Sequence, residues 1–245
     1  MNLQNNTILI TGGSSGIGLE LAKSLAKKNK ILICGRSKGK LEEAKAQIPG
    51  SDIFPCDLSL DLDRKNLFEW VKEKHPECNM LVNNAALVHR THFARDEQMQ
   101  DKAGLEIQTN LVAPIMLTKL FLPLLEQKKY AGIVNITSGL VYAPKREYPI
   151  YNCTKAGLHS FTQTLRMQLG KSGIKIIEVL MPVVDTPWHD GKVPKMAISA
   201  EEAVGIMIKG LAQDETEIRV GKVKLLYWLN RIAPKIASKV INGGN

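Results

Sequence analysis

Thr11-Gly12-Gly13-Ser14-Ser15-Gly16-Ile17-Gly18 follows directly on the apolar run Thr7–Ile10 and leads into apolar residues at helical spacing, Leu19, Leu21, Ala22, Leu25 and Ala26. Strand, glycine-rich turn and helix in that order make a phosphate cradle. Gly12 lets the chain turn sharply off the strand, Gly16 lets the backbone approach a pyrophosphate, and Gly18 lets the helix pack near the sheet. Ser14, Ser15 and Ile17 complete the loop, whose helix offers unpaired N–H groups and a positive dipole end. The T-G-x-x-x-G-x-G spacing is one residue wider than G-x-G-x-x-G, and no Gly-Lys-Ser/Thr ending marks a Walker loop.

Outward from that turn, short apolar runs alternate with helical patterns. Candidate strands are Thr7–Ile10, Ile31–Cys34, Asp52–Cys56, Met80–Asn83, Ile133–Thr137, Lys175–Leu180 and Ile218–Val220. Strands apolar on both sides belong in a parallel sheet covered on both faces. The expected fold is therefore α/β, a doubly wound Rossmann-type parallel sheet of seven strands with helices on both faces. No linker or repeat divides residues 1–245, so one domain is expected, with ligands at the carboxyl edge of the strands. A long segment, 182–200, breaks the rhythm with Pro187, Trp188, Gly191 and Pro194, as a substrate loop would.

Composition narrows the class. With 44% apolar and 23% charged residues the chain has the balance of a soluble globular protein. Cys34, Cys56, Cys78 and Cys153 form no C-x-x-C pair, so no metal site and a reducing, cytoplasmic setting are expected. No signal peptide is evident, and no unbroken apolar run reaches about 18 residues. The net charge of +9 suits an anionic ligand or surface. Nucleic acid is disfavoured, because the lysines are scattered and not interleaved with stacking aromatics.

The second strand decides between dinucleotides. An NAD site wants an acid at its end, but here Gly35-Arg36-Ser37 follows Cys34. Arg36, with Ser37, is placed to take a 2′-phosphate, so NADP(H) is favoured over NAD(H); a solvated surface arginine is the plainer alternative. After the third strand, Asp57 suits either the adenine amino group or a helix cap, and Leu58 suits packing on the adenine ring. After the fourth, Asn83-Asn84-Ala85-Ala86 are small enough for the cofactor to lie against the strand end.

The reacting centre is expected at Tyr151 and Lys155, which share one helix face. A phenol with a pKa near ~10 releases its proton poorly at neutral pH, and a neighbouring cation favours the phenolate. Lys155 can also hold the nicotinamide ribose. Ser138 closes the fifth strand, where its hydroxyl can bind the substrate oxygen. Asn110 is an amide on an apolar face, suited to hold a water linking Lys155 to solvent.

This constellation resembles the short-chain dehydrogenase/reductase family over roughly residues 6–186, and within it the bacterial D-alanine-operon oxidoreductase subgroup. The resemblance implies a tetrad of Asn110, Ser138, Tyr151 and Lys155, hydride exchange between a nicotinamide and a carbonyl or secondary alcohol, nicotinamide contacts from Val184 and Thr186, and a homodimer or homotetramer. Two positions depart from the family pattern: Ala86 stands for the last glycine of N-N-A-G, and Met181-Pro182-Val183-Val184-Asp185-Thr186 replaces P-G-x-V-x-T. Leu140, Val183 and Trp188, beside the motif residues, are candidates for the substrate wall along with Ser138 and Tyr151. Tyr142 and Tyr148 suit pocket walls or loop packing, and His89, His92 and His189 suit either substrate contact or idle surface. The tail Lys222–Ile241 alternates Lys222, Lys224, Arg231, Lys235 and Lys239 with apolar residues. It suits packing on a partner subunit or over the site first, and peripheral contact with an anionic membrane second. The rival to an enzyme is a dinucleotide-binding regulatory or scaffolding protein on the same fold.

Overall fold

The computed structural model describes residues 1–189 and 193–243, His189 by its backbone only. The chain opens with β1 (Thr7–Thr11), α1 (Gly16–Ala26), β2 (Lys30–Gly35), α2 (Lys38–Gln47), β3 (Asp52–Pro55) and α3 (Asp61–Lys74). It continues with β4 (Met80–Asn83), α4 (Met99–Ile107), α5 (Ala113–Leu125), β5 (Ala131–Ser138), α6 (Pro149–Gln168) and β6 (Ile174–Met181). Short strands β7 (Val184–Asp185) and β8 (Ile198–Ser199) precede α7 (Ala200–Ala212), β9 (Glu217–Arg219), α8 (Val223–Ile232) and α9 (Pro234–Asn242).

Seven strands form a parallel sheet in the order β3-β2-β1-β4-β5-β6-β9. Because β1 lies between β2 and β4, the crossovers run outward from it in opposite directions and leave a crevice at its carboxyl end. All seven expected strands are present. β5 is longer than expected, reaching Ala131–Ser138, so Ser138 is its last paired residue, opposite Met181.

Alternation along the strands fills two cores. Ile8 and Ile10 of β1 and Ile31 and Ile33 of β2 face Leu21 and Leu25 of α1 and Val204, Met207 and Leu211 of α7. Leu9, Leu32 and Cys34 face the other way, toward Leu67 and Val71 of α3 and Leu117, Phe121 and Leu125 of α5. Both faces being dry, the strands favour apolar residues on both sides. Truncating the fully buried Phe121 to Ala should cost about 3–5 kcal/mol.

A π-helical turn, Gln108–Val112, joins α4 to α5. The resulting stretch Met99–Leu125 is long and apolar enough to cross a membrane by length and composition. Its apolar side, Ala113, Leu117, Phe121 and Leu125, is committed to the core, which accounts for its hydropathy. The 182–200 loop is pinned at its base by a two-residue parallel ladder, Val184 opposite Ile198 and Asp185 opposite Ser199. The tail forms two helices, separated at Pro234, which lacks the N–H a continuing helix needs.

Candidate active site

Gly12 and Gly16 both hold the left-handed backbone conformation, φ +65° and +54°, that a side chain would strain. A Cβ on Gly12 would meet Ala85 Cα at 2.9 Å, and one on Gly18 would meet the Gly12 carbonyl oxygen at 2.4 Å. The loop is held down by Thr11, whose hydroxyl accepts from the backbone N–H of Asn84 (2.9 Å) and Ala85 (3.0 Å). The Asn84 amide donates back to the Thr11 carbonyl at 2.9 Å. Helix geometry leaves the first N–H groups of α1, from Gly16, without intrahelical acceptors. The Ser15 hydroxyl does not cap them and no acid occupies the first turn. The Thr186 methyl lies 3.2 Å from where a Gly16 Cβ would sit, so the 182–200 loop begins over this cradle. A glycine turn with free amides and no carboxylate fits a pyrophosphate.

At the end of β2, Arg36 and Ser37 are exposed, and the Ser37 hydroxyl caps α2 by accepting from Lys40 N–H at 3.3 Å. Ser14 Oγ lies 3.4 Å from the Cβ position of Gly35, so cradle and strand end form one surface. Lys38 and Lys40 add to the positive charge there, and the first turn of α2 has no acid. Sequence reasoning missed both lysines, although the run Arg36-Ser37-Lys38-Gly39-Lys40 carries the signal. Asp57 does not cap α3, whose N-cap is Leu60, but makes a turn before it. Its Oδ1 accepts from the N–H (2.9 Å) and hydroxyl (2.7 Å) of Ser59 ahead of α3. Leu58 is buried in the core with Cys56 and Leu67.

The expected reacting groups meet at the carboxyl ends of β4, β5 and β6. Lys155 is buried, its Nζ 5.7 Å from the Tyr151 ring centroid and donating to the Ile136 carbonyl at 2.8 Å. Burial pushes its pKa down to about 8, opposed by the buried Glu178 carboxylate. The Ser138 hydroxyl lies beside the Tyr151 phenol and favours its ionised form. Burial pushes the phenol up to about 12, Ser138 opposing and the charges of Glu106 and Tyr148 adding. Burial is the largest influence on this phenol, which is protonated at neutral pH.

Asn110 sits fully buried in the π turn. Its amide donates to the Leu87 carbonyl at 2.6 Å and to Thr154 Oγ1 at 3.3 Å, and its oxygen accepts from Leu87 N–H at 2.7 Å. Both N–H groups are thus used to tie the segment after β4 to α6. The Thr154 hydroxyl donates to the Tyr151 carbonyl at 2.9 Å, so this tie reaches the turn that carries the phenol.

The Trp188 ring lies 5.9 Å from that of Tyr151, and the Tyr148 ring lies 6.5 Å from it. Leu140 N–H donates to Ser138 Oγ at 3.2 Å, and the Val183 carbonyl accepts from Ile198 N–H at 3.2 Å at the loop base. Val184 is buried in the core. Tyr142 packs on Tyr227 of α8 and accepts from Arg219 Nε at 3.0 Å. The side chain of His189 lies outside the described residues. Two buried carboxylates went unnoticed in the sequence. Glu106 accepts from the backbone N–H of His89 (2.7 Å) and bonds its Nδ1 (2.8 Å). Glu178 bonds Nδ1 of His159 at 2.8 Å, behind Lys155. The signal for Glu178 was an acid inside the apolar run Ile176–Met181.

Comparison with known proteins agrees with this geometry. The short chain dehydrogenase family model matches residues 6–197. An uncharacterized oxidoreductase, DltE, of Bacillus subtilis (strain 168) is 42% identical over 230 residues, 91% of each chain. Among solved structures, a short chain dehydrogenase from Burkholderia cenocepacia J2315 in complex with NADP superposes with a TM-score of 0.87 at 19% identity, covering 100% of both chains. A short-chain dehydrogenase from Sphingobium yanoikuyae in complex with NADPH gives a TM-score of 0.83 at 24% identity, covering 98% of both. With sequence, topology and strand-end residues in accord, the chain belongs to the short-chain dehydrogenase family, as an oxidoreductase of the DltE-like subgroup.

Proposed function

We propose that this protein is an NADP(H)-dependent oxidoreductase that interconverts a carbonyl compound and a secondary alcohol, with Tyr151 as the general acid and base. The observation that carries the reading is the Lys155 Nζ held 5.7 Å from the Tyr151 ring, one helical turn beyond it, at the sheet edge where Ser138 ends β5 and the glycine cradle opens. The cradle, with its free α1 amides, would hold the pyrophosphate, and Arg36, Ser37 and the neighbouring Lys38 and Lys40 would hold a 2′-phosphate. When bound, the nicotinamide supplies or accepts the hydride. The preference for NADP(H) rests on the cationic, acid-free end of β2.

In reduction, Ser138 holds the substrate carbonyl oxygen and Tyr151 passes its phenolic proton to that oxygen as negative charge develops there. The buried phenol is protonated at neutral pH, as a proton donor must be. Lys155, charged below about pH 8, then stabilises the phenolate left behind. Oxidation reverses these steps. Trp188 and Tyr148, flanking the phenol, form apolar walls for the substrate carbon chain.

The test is a panel of aldehydes, ketones and secondary alcohols read by dinucleotide absorbance with NADP(H) and NAD(H). Turnover that prefers NADPH and disappears in Tyr151→Phe is expected; turnover surviving in that variant would falsify the assignment.

A further inference from the structure

The tail has two sides. Its inner side covers the site region: Val223 and Leu226 lie 3.0 and 3.6 Å from where a Cβ of Gly139, next to Ser138, would sit. Asn242 accepts from Arg146 N–H at 2.8 Å and donates to the Pro144 carbonyl at 3.1 Å, fastening the end of α9 to the segment after β5. The outer side is bare. Leu225, Trp228 and Ile232 of α8 are 69%, 54% and 81% exposed, and Ile236 and Val240 of α9 are each 55% exposed.

These residues recur at three- and four-residue spacing, so each helix carries an apolar stripe on one face. Lys224, Arg231, Lys235 and Lys239 flank the stripes about a quarter turn away, by the 3.6-residue period. Between Ile218 and Asn245 there is no Asp or Glu. At the edge of α9 a groove of about 700 Å³ is lined by Lys145, Arg146, Lys235 and Lys239, and bounded by Asn152, next to Tyr151. Lys145 shares Glu147 with Arg90 across its rim.

We propose that the outer face of α8–α9 docks on an anionic lipid bilayer, with the apolar stripes entering the headgroup boundary and the basic flank and groove taking lipid phosphates. Apolar residues flanked by lysine and arginine whose stems can reach past them are what such an interface requires. A second copy of the chain is the poorer occupant. In a two-fold contact the patch meets itself, so every lysine would face lysines with no carboxylate to pair them.

Co-sedimentation with vesicles tests this on the full chain. Wild type should pellet with vesicles of phosphatidylglycerol and phosphatidylcholine in equal parts, be released by high salt, and stay in solution with phosphatidylcholine alone. Trp228→Glu with Ile232→Glu should abolish pelleting, and Lys235→Gln and Lys239→Gln should each weaken it about fivefold. Both sites are exposed, so circular dichroism and thermal melting should match wild type. The proposal fails if wild type ignores the anionic vesicles, or if pelleting survives the Trp228 and Ile232 changes. It fails equally if sedimentation velocity shows that those changes split a wild-type oligomer, since a second copy then covers the face.

Discussion

Nζ of Lys155 lies 5.7 Å from the ring centroid of Tyr151 while donating to the Ile136 carbonyl at 2.8 Å, which anchors the cation to β5 two residues before Ser138. The lysine is thereby placed by the sheet and the phenol by the helix, with Ser138 ending the same strand. Removing only the phenolic oxygen, in Tyr151→Phe, should lower kcat by about 10²–10⁴-fold, the usual contribution of a positioned acid–base group. NADPH affinity, measured by fluorescence titration, should stay within about threefold, since turnover and binding depend on different atoms. A parallel loss of binding would place the phenol in the cofactor site and not at the reacting centre.

Burial holds the Lys155 pKa at about 8, below the ordinary 10.5. Below about pH 8 the lysine is charged in both the folded and unfolded chain, so the burial penalty, about 3 kcal/mol, is present in full. Between about 8 and 10.5 the unfolded chain binds more protons than the folded one, and stability rises with pH. Denaturant unfolding should therefore show Lys155→Met more stable than wild type at pH 7, with the advantage shrinking as pH rises toward 10. An advantage independent of pH would mean that the lysine does not titrate inside the fold.

The His159–Glu178 pair works in the opposite sense. Its hydrogen bond to Glu178 raises His159 above the ordinary 6.5. The pair's stabilisation is present in full below pH 6.5 and is lost as pH rises through the raised folded value. In Glu178→Gln the histidine resonance should titrate closer to 6.5, and stability at low pH should fall by about 1–3 kcal/mol through loss of a buried charge-assisted bond. Because Glu178 also holds the Lys155 pKa up, the same variant should move the lysine further down.

Most of the sheet was legible because a parallel strand buried on both faces favours apolar residues on both sides, as in Ile8–Ile10 and Ile31–Cys34. The glycine cradle was equally plain, since positive φ at Gly12 and Gly16 leaves little choice of residue. What stayed hidden depends on partners far apart in sequence. Nothing local to Asn110 reveals that Leu87 takes both its carbonyl and an N–H, 23 positions away. Nor does a lone glutamate at 106 or 178 announce a histidine beside it. Spacing shows that a lysine is near Tyr151, but only packing shows that burial raises the phenol's pKa. The short strands β7 and β8 escaped because two-residue ladders leave no periodicity to read.

Arg36 supplies the last test. It stands exposed at the end of β2, where Gly35 occupies the place an acid would take in an NAD site, beside the positive N-terminus of α2, whose first turn carries Lys38 and Lys40 and no acid. A 2′-phosphate would receive charge-assisted hydrogen bonds from the guanidinium, worth about 1.5–3 kcal/mol. Arg36→Ala should therefore raise KM for NADPH by about 10–100-fold while leaving KM for NADH within about threefold, and kcat should hold with both once the site is saturated. The neighbouring lysines set the residual preference, so adding Lys38→Ala and Lys40→Ala should narrow it further. Equal loss with both dinucleotides would mean that Arg36 supports the strand end and does not read the phosphate.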